Sequence, residues 1–359
     1  MVRSGNEETC GRTLMSKHTL ASFLEAFSSR SERDGETAIL IAALAASAAK
    51  LAAAIADGAT AARFAEEGNV NVQGEVQKYL DLFAHHAFLD AARAAPVACL
   101  LSEEEDEPVR LTAGAPLALA IDPLDGSSNI AINSPIGTIF GIYPAEAGSP
   151  EKSFIRKGRE LLAAGYVIYG ARTELVLSAG GGRPVLYVLD AARQDWHHVR
   201  DCQVPASSHE FAINVSNYRR WPEQVRVFID LCLDGREGPL DEDYNMRWLA
   251  ALVGETHRIL TRGGVFFYPG DNRRGYEQGR LRYAYECAPI AYLIEHAGGL
   301  ATDGETPILD LTPPAFHART PLCFGSRVQM QRYAEAIHHM NRHEQPLFAD
   351  RGLFRAGAR

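Results

Sequence analysis

Apolar residues recur every three or four positions through much of the first hundred residues of the chain. That spacing places them on one face of an amphipathic helix. Leu20, Leu24 and Phe27 form such a face in the first of these stretches. The pattern predicts three helices, over residues 18–30, 36–57 and 73–94.

The pattern then changes to short runs of apolar residues that are bounded by turn residues. Runs of this length and composition are typical of β-strands. Three consecutive glycines and a proline at 180–184 predict a hairpin turn between the last two runs. The strands are predicted over residues 97–101, 117–121, 137–143, 161–169, 174–177 and 185–189.

A polar, turn-rich segment at 197–208 marks a boundary between two domains, and 359 residues exceed the usual size of a single core. Beyond the boundary the pattern predicts helices over 222–232, 246–258, 288–296 and 327–341, and a strand over 265–268. The predicted organisation is a disordered leader at 1–17, an N-terminal domain at 18–200, a C-terminal domain at 201–345 and a tail at 346–359.

Charge and cysteine content narrow the class of protein. A net charge of -9 argues against a nucleic-acid partner, since such proteins carry basic surfaces. None of the six cysteines forms a CxxC pair, which favours reduced thiols over disulfides or a zinc site. The N-terminus lacks the apolar core of a signal peptide. The apolar stretch at 39–56 is mostly alanine and contains Lys50, so we expect a buried helix in a cytoplasmic protein without a membrane partner.

Carboxylates follow directly on two of the predicted strands. Glu103 and Glu104 follow the first strand, and Asp122 and Asp125 follow the second. Open α/β sheets hold their ligands at such strand ends. A turn through the Pro-Leu pair between the aspartates lets both carboxylates and the carbonyl of Leu124 converge, which is a hard oxygen site suited to Mg²⁺ or Mn²⁺.

Small residues come next, at 126–129, with the sequence Gly-Ser-Ser-Asn. They leave backbone N–H groups accessible, and a helix that starts here attracts an anion to those groups. As a generic turn the segment is weakly informative. Joined to the preceding Asp-Pro-Leu-Asp, it predicts a phosphate site beside a metal site.

Residues 122–129 resemble the signature of class 1 fructose-1,6-bisphosphatases, bacterial type, within the lithium-sensitive, Mg²⁺-dependent sugar phosphatase superfamily. Segments 134–143 and 285–292, followed by Ala-Gly-Gly at 297–299, also resemble this family. The resemblance implies an α/β fold with α+β layering, namely a five-layer α-β-α-β-α sandwich of two mixed-sheet domains. It further implies a homotetramer with two or three Mg²⁺ ions per site, which Mn²⁺ could replace.

The same resemblance implies roles for individual acidic residues. Glu286 could by its own context be a surface acid at a helix start, but it stands among tyrosines, a poor place for an unpaired charge. Catalytic roles are implied for Asp81, Glu104 and Glu75, the last in place of a more usual aspartate, around a mobile loop at about 65–74. The implied metal ligands are Glu103, Asp122, the carbonyl of Leu124, Asp125 and Glu286.

The implied substrate contacts divide into two groups. The scissile phosphate would meet Asp125, Gly126, Ser127 and Ser128, and the sugar or its second phosphate would meet Asn214, Arg247, Tyr268 and Arg280. Arg247 matches an arginine that reaches a neighbouring subunit's site. Arg280 replaces a usual lysine and Trp248 a usual tyrosine, so the resemblance leaves the recognition of the second phosphate open. Read alone, Asn214 is a loop residue and Tyr268 a core aromatic.

The implied function is the Mg²⁺-dependent hydrolysis of fructose 1,6-bisphosphate to fructose 6-phosphate by metal-activated water. Inhibition by AMP is expected to be weak or absent, because Pro116-Leu117 replaces the Lys-Tyr pair of the animal nucleotide site and Pro116 has no N–H. Two alternatives stay open, a sedoheptulose-1,7-bisphosphatase and a non-catalytic sugar-phosphate sensor. A dehydrogenase is disfavoured, since no GxGxxG follows a strand.

Overall fold

The computed structural model describes residues 19–57 and 72–343, with side chains for 19–57 and 79–336. The predicted leader at 1–17 and tail at 346–359 therefore lie outside the described residues, as does most of the predicted loop at 65–74. The helices are α1 (Leu20–Ser28), α2 (Glu32–Ala56), α3 (Val72–Arg93), α4 (Glu223–Leu233), α5 (Leu252–Arg262), α6 (Ala288–His296) and α7 (Arg327–His343).

Eight strands form the first sheet, in the order β2-β1-β3-β4-β5-β6-β7-β8. Strands β1 and β3 run parallel, and every other neighbouring pair runs antiparallel. The sheet is therefore mixed, with its parallel pair near one edge. The strands are β1 (Val97–Ser102), β2 (Val109–Arg110), β3 (Leu117–Asp125), β4 (Ile136–Pro144), β5 (Ala163–Tyr169), β6 (Thr173–Ala179), β7 (Val185–Asp190) and β8 (Asp195–Asp201).

Five short strands form a second mixed sheet, in the order β10-β9-β11-β13-β12. Strand β9 pairs in parallel with both β10 and β11, and β13 pairs antiparallel with β11 and β12. Of these five, only β11 was predicted from the sequence. The strands are β9 (Glu210–Ala212), β10 (Asn245–Met246), β11 (Val265–Tyr268), β12 (Leu300–Thr302) and β13 (Leu322–Gly325).

Three hydrophobic cores separate five layers. Helices α1 to α3 cover one face of the first sheet, and α5 and α6 fill the space between the two sheets. Helices α4 and α7 cover the far face of the second sheet. Alternation along β11 shows the division, because Phe266 faces the middle core while Val265 and Phe267 face the outer one. The predicted α-β-α-β-α sandwich is confirmed.

Two local predictions differ from the structure. Met246 belongs to β10 and residues 247–251 form no helix, so α5 begins only at Leu252 and the helix predicted over 246–258 is wrong in its first half. Pairing of β10 with β9 outweighs the helical propensity of this segment. The segment predicted as turns from 197 begins with the end of β8, an edge strand whose Trp196 is buried and donates its indole N–H to the Ala45 carbonyl.

Helix α2 is long and apolar enough to cross a membrane by composition alone, and it is the one such helix in the part of the chain that the structure describes. Half of its most apolar stretch is buried inside the protein. Leu40, Leu44 and Leu51 lie in the core that it shares with the first sheet. Its apolar character is therefore explained by packing, as the sequence predicted.

Candidate active site

The parallel pairing of β1 and β3 brings two acidic segments side by side. Ser102 lies opposite Ile121 at the ends of these strands, and the Glu103 N–H donates to the Ile121 carbonyl at 3.1 Å. Glu103 and Asp122 consequently leave the sheet at the same edge. The general rule for ligand sites in α/β sheets places the site at this edge.

An irregularity in β3 turns Asp122 and Asp125 toward one point. Side chains alternate along a strand, so residues three apart would face opposite sides. Here Asp122 pairs with Ile139 but Asp125 pairs with Gly137, which leaves an extra residue in β3. Such a bulge reverses the alternation. The Asp122 carboxylate accepts a hydrogen bond from the Leu124 N–H at 3.0 Å, which holds the turned chain in place.

The Asp125 carboxylate also caps a helix of the second half of the chain. Its Oδ2 accepts a hydrogen bond from the Val253 N–H at 2.8 Å, in the first turn of α5. The N-cap position, Ala251, has no side chain that could do this. A carboxylate at a helix N-terminus is stabilised by the unpaired N–H groups and by the helix dipole. Asp125 is thus held by β3 and by the N-terminus of α5.

Glu286 completes a cluster of three buried carboxylates. It lies in a single π-helical turn, Tyr283–Cys287, directly before α6, and accepts a hydrogen bond from the Arg282 N–H at 2.6 Å. Ligand atoms of Asp122, Asp125 and Glu286 lie within 4.8 Å of one another. Glu286 is buried, which rules out the alternative of a surface acid at a helix start.

Burial and mutual repulsion raise the pKa of each carboxyl in the cluster. The pKa of Asp125 rises to about 7, mainly because the group is buried and then because Glu103 is near. Burial, followed by the charge of Glu103, also raises the pKa values of Asp122 and Glu286 well above their usual range. Arg282 offsets part of this charge, with its Nη1 at 2.8 Å from Glu103 Oε1. A buried set of hard oxygen donors in mutual repulsion fits a divalent cation such as Mg²⁺.

A second acidic group lies beside the cluster. The pKa of Asp81, on α3, rises to about 6 through burial and then through the charges of Glu104 and Glu103. The buried imidazole of His85, one turn further along α3, lies 3.0 Å from Glu105 Oε1 and so ties the helix to the acidic turn. Glu75 lies in the first turns of α3, outside the described side chains.

The turn after Asp125 has the form predicted for a phosphate site. Gly126 has a left-handed backbone with φ of +74° and starts a 3-10 helix, Ser127–Ile132. This turn borders an open cavity of about 370 Å³. The cavity is lined by Glu103, Glu104, Asp122, Leu124, Asp125, Gly126, Ser127, Ser128, Tyr268, Arg280, Leu281, Arg282 and Glu286.

A narrow second pocket adjoins this cavity. Tyr268 and Arg280 line both, so the two spaces share a wall. Asn214 and Trp248 line only the second pocket, and Arg247, half exposed, lines neither. The Tyr276 ring lies under two guanidinium groups, those of Arg273 at 4.3 Å and Arg280 at 5.4 Å.

Three site residues escaped the sequence analysis, namely Arg282, Arg273 and Tyr276. Arg282 stands four residues before Glu286, where an arginine beside a buried carboxylate was a usable signal. Arg273 and Tyr276 lie in an irregular loop, and no periodicity or strand end marks them. Among the residues that were predicted, those lining the first cavity are brought together, while Asn214 belongs to the adjoining pocket.

The five-layer sandwich, with a carboxylate cluster at an edge of its first sheet, defines a protein of the sugar phosphatase fold. The family profile described as fructose-1-6-bisphosphatase, N-terminal domain, matches residues 18–201. The profile described as fructose-1-6-bisphosphatase, C-terminal domain, matches residues 204–338. The chain belongs to the fructose-1,6-bisphosphatase family.

Individual relatives agree with this assignment. A class 1 fructose-1,6-bisphosphatase of Cereibacter sphaeroides is 55% identical over 288 residues, which cover 80% of this chain and 86% of the relative. One from a Bradyrhizobium species is 50% identical over 340 residues, covering 94% and 98%. The crystal structure of Leishmania major fructose-1,6-bisphosphatase in holo form superposes with a TM-score of 0.75 at 29% identity, covering 84% of this chain and 94% of that one.

Proposed function

We propose that this protein hydrolyses the C1 phosphate of D-fructose 1,6-bisphosphate, releasing fructose 6-phosphate and inorganic phosphate in a Mg²⁺-dependent reaction. The observation that carries the proposal is the buried cluster of Asp122, Asp125 and Glu286 directly beside the Gly126 turn. A cation site and an anion site in contact suit a phosphate ester. The identity of the sugar is inferred from the relatives, which are named fructose-1,6-bisphosphatases.

Residues of this chain take distinct parts in the proposed reaction. N–H groups of the turn, with the hydroxyls of Ser127 and Ser128, bind the scissile phosphate. Tyr268 and Arg280, which border both spaces, orient the sugar and its second phosphate. An arginine binds that phosphate through a planar pair of donors, where a lysine would offer a point charge.

Proton transfer is assigned to the second acidic group. Water adds to phosphorus, the bond between phosphorus and the C1 oxygen breaks, Asp81 with Glu104 accepts the proton of the water, and the C1 oxygen takes up a proton to become the free hydroxyl. A raised pKa suits a group that must take up a proton near neutral pH, and burial raises the pKa of both carboxyls. Glu75 is proposed to support this transfer from the same helix. No covalent nucleophile is required.

Two or three Mg²⁺ ions, or Mn²⁺ in their place, are proposed for each site. Glu103, Asp122, the Leu124 carbonyl, Asp125 and Glu286 would hold them. When bound, such ions neutralise phosphate charge, acidify a water and stabilise the leaving alkoxide. The fit rests on the donor set, because ionised carboxylates at this density need a compensating cation.

We also propose a cytoplasmic homotetramer in which residues 18–200 supply most of the metal ligands and residues 201–345 the sugar contacts. Arg247 supports the oligomer, because its side chain is half exposed and borders neither cavity of its own chain. An arginine so placed suits contact with substrate bound to a neighbouring subunit.

Phosphate release from a panel of sugar phosphates, with and without Mg²⁺, tests the proposal. We expect rapid release from fructose 1,6-bisphosphate, none from fructose 6-phosphate, and loss of activity after chelation. Asp125→Ala is the matched variant, and we expect it to abolish release. A preference for sedoheptulose 1,7-bisphosphate would reassign the substrate. Tight binding without release would instead favour a sugar-phosphate sensor.

A further inference from the structure

The segment 247–251, here called the strap, joins β10 to α5 without forming a helix or a strand. At one end, Trp248 lines the second pocket and stacks on Phe266 with ring centres 6.0 Å apart. At the other end, the strap leads directly into the α5 N–H groups that hold Asp125. The strap therefore connects a side chain of the second pocket to the helix end that holds Asp125.

The strap is held at Leu249 by two side chains from different elements. Its carbonyl accepts a hydrogen bond from Asn129 Nδ2 at 3.2 Å, in the 3-10 helix that follows the phosphate turn. Its N–H donates to Glu255 Oε1 at 2.5 Å. The next residue, Ala250, has φ of +57°, a left-handed conformation that non-glycine residues rarely adopt. Such a conformation persists only where the surroundings enforce it.

Glu255 is the most buried member of these contacts, with none of its surface exposed. Its Oε2 accepts from Arg258 Nε at 3.2 Å, and Arg258 Nη1 donates to Glu210 Oε2 at 2.9 Å. Glu210 lies on β9 beside Phe211, whose carbonyl accepts the Arg247 N–H at 2.8 Å. The strap is therefore bound to this network at Arg247 and at Leu249.

We propose that Glu255 is a positioning residue. By accepting the Leu249 N–H, it fixes Trp248 relative to the α5 N-terminus that holds Asp125. Cation binding and sugar-phosphate binding therefore depend on one another. The inference rests on the proposed function for the identity of the sugar phosphate. The part of the inference that concerns cation binding rests only on the contacts described above. Glu255 itself borders neither cavity.

A purely structural role for Glu255 makes a different prediction, which two substitutions separate. Glu255→Ala removes the acceptor for Leu249 and the partner of Arg258. Glu255→Gln keeps an acceptor for the Leu249 N–H but loses the charge that pairs with Arg258. If only the buried ion pair mattered, both variants would behave alike.

The test is calorimetric titration of the full-length protein with Mg²⁺ and with fructose 6-phosphate, together with steady-state kinetics. For Glu255→Ala we expect about tenfold weaker Mg²⁺ binding, which is the lower end of the range for loss of a group that orients a metal ligand. We expect the KM for fructose 1,6-bisphosphate to rise by about the same factor. For Glu255→Gln we expect near wild-type constants with a lowered melting temperature. Glu295→Ala is the control, because it removes a largely buried carboxylate, paired with Arg159 at 3.1 Å, that borders neither cavity.

Equal loss in the Gln and Ala variants would overturn the inference, as would a shift of KM without a shift in Mg²⁺ affinity. If Glu255→Ala does not fold, Asn129→Ser removes the other hold on Leu249 and must give the same paired shift. Failure of the proposed function is distinguishable, since wild-type protein would then bind Mg²⁺ without releasing phosphate. In that case the Mg²⁺ titrations of the variants still decide whether the strap supports Asp125.

Discussion

Gly126 shows how a single hydrogen atom in place of a side chain shapes the proposed phosphate site. Its left-handed backbone begins the 3-10 helix, and an added Cβ would lie 2.8 Å from Ala251 Cβ, at the start of α5. Glycine is therefore required twice, for conformation and for space. The turn and the α5 N-terminus can approach closely only because this residue has no side chain.

Gly126→Ala is expected to lower affinity for phosphate. The added methyl pushes the turn away from α5, so we expect KM for the bisphosphate and the inhibition constant of inorganic phosphate to rise together, by about tenfold or more. Steady-state kinetics with phosphate as inhibitor measure both. Gly148→Ala is the matched control, since Gly148 has φ of +77° but an added Cβ would meet nothing within 4 Å. Both variants lose stability by about 1–2 kcal/mol, and equal kinetic loss in both would contradict the steric reason.

At the scale of elements, the sequence predicts the strands β1 and β3 and the acidic residues at their ends. The sequence predicted that Asp122 and Asp125 converge through a turn at Pro123 and Leu124, but β3 continues to Asp125 and a bulge does this instead, which depends on pairing with β4. The conformation of the strap was not predicted either, because hydrogen bonds from Asn129 and Glu255 override the local helical propensity. Residues at strand ends were therefore predictable, while the contacts that orient them were not.

The buried carboxylates of β3 should make the stability of the metal-free protein depend on pH. The pKa of Asp125 is about 7 when folded and 3.8 by its ordinary value. The folded state thus holds this proton more tightly, so the group contributes its full stability below about pH 4 and loses it as pH rises through 7. The loss has a limiting slope of about 1.4 kcal/mol per pH unit for each proton.

Chemical denaturation between pH 4 and 8 measures this, with Asp125→Asn as the non-titrating comparison that keeps an acceptor for Val253. We expect wild-type stability relative to the variant to fall with rising pH in the absence of metal. Saturating Mg²⁺ should reverse the trend, because the cation favours the ionised carboxylate. A difference between the two proteins that is independent of pH would show that Asp125 is ionised in the metal-free fold.

At the scale of the whole molecule, the proposed site is assembled from both sheets and from the layer between them. Glu103, Asp122 and Asp125 come from the first sheet, while Glu286 and Arg282 come from the segment that enters the middle layer. Tyr268 comes from the second sheet. The two-sheet layout followed from the family resemblance and is confirmed, but the pattern missed four of the five second-sheet strands, three of which hold only two or three residues.

Regulation by AMP is a further property of the whole molecule, and we expect it to be weak or absent. Pro116 supplies no N–H and Leu117 is fully buried in β3. An AMP titration of phosphate release checks this. Inhibition at low concentration would contradict it, and inorganic phosphate serves as a control inhibitor.

The π-helical turn before α6 has a consequence for how this protein can change. A π turn holds one more residue than an α turn, and successive residues of a helix are rotated by about 100°. Deleting one residue from Tyr283–Cys287 would let α6 extend backwards as a regular helix with better hydrogen bonds. The same deletion would swing Glu286 out of the cluster. A deletion that makes this helix more regular and more stable would therefore be selected against as long as the function requires Glu286 in the cluster.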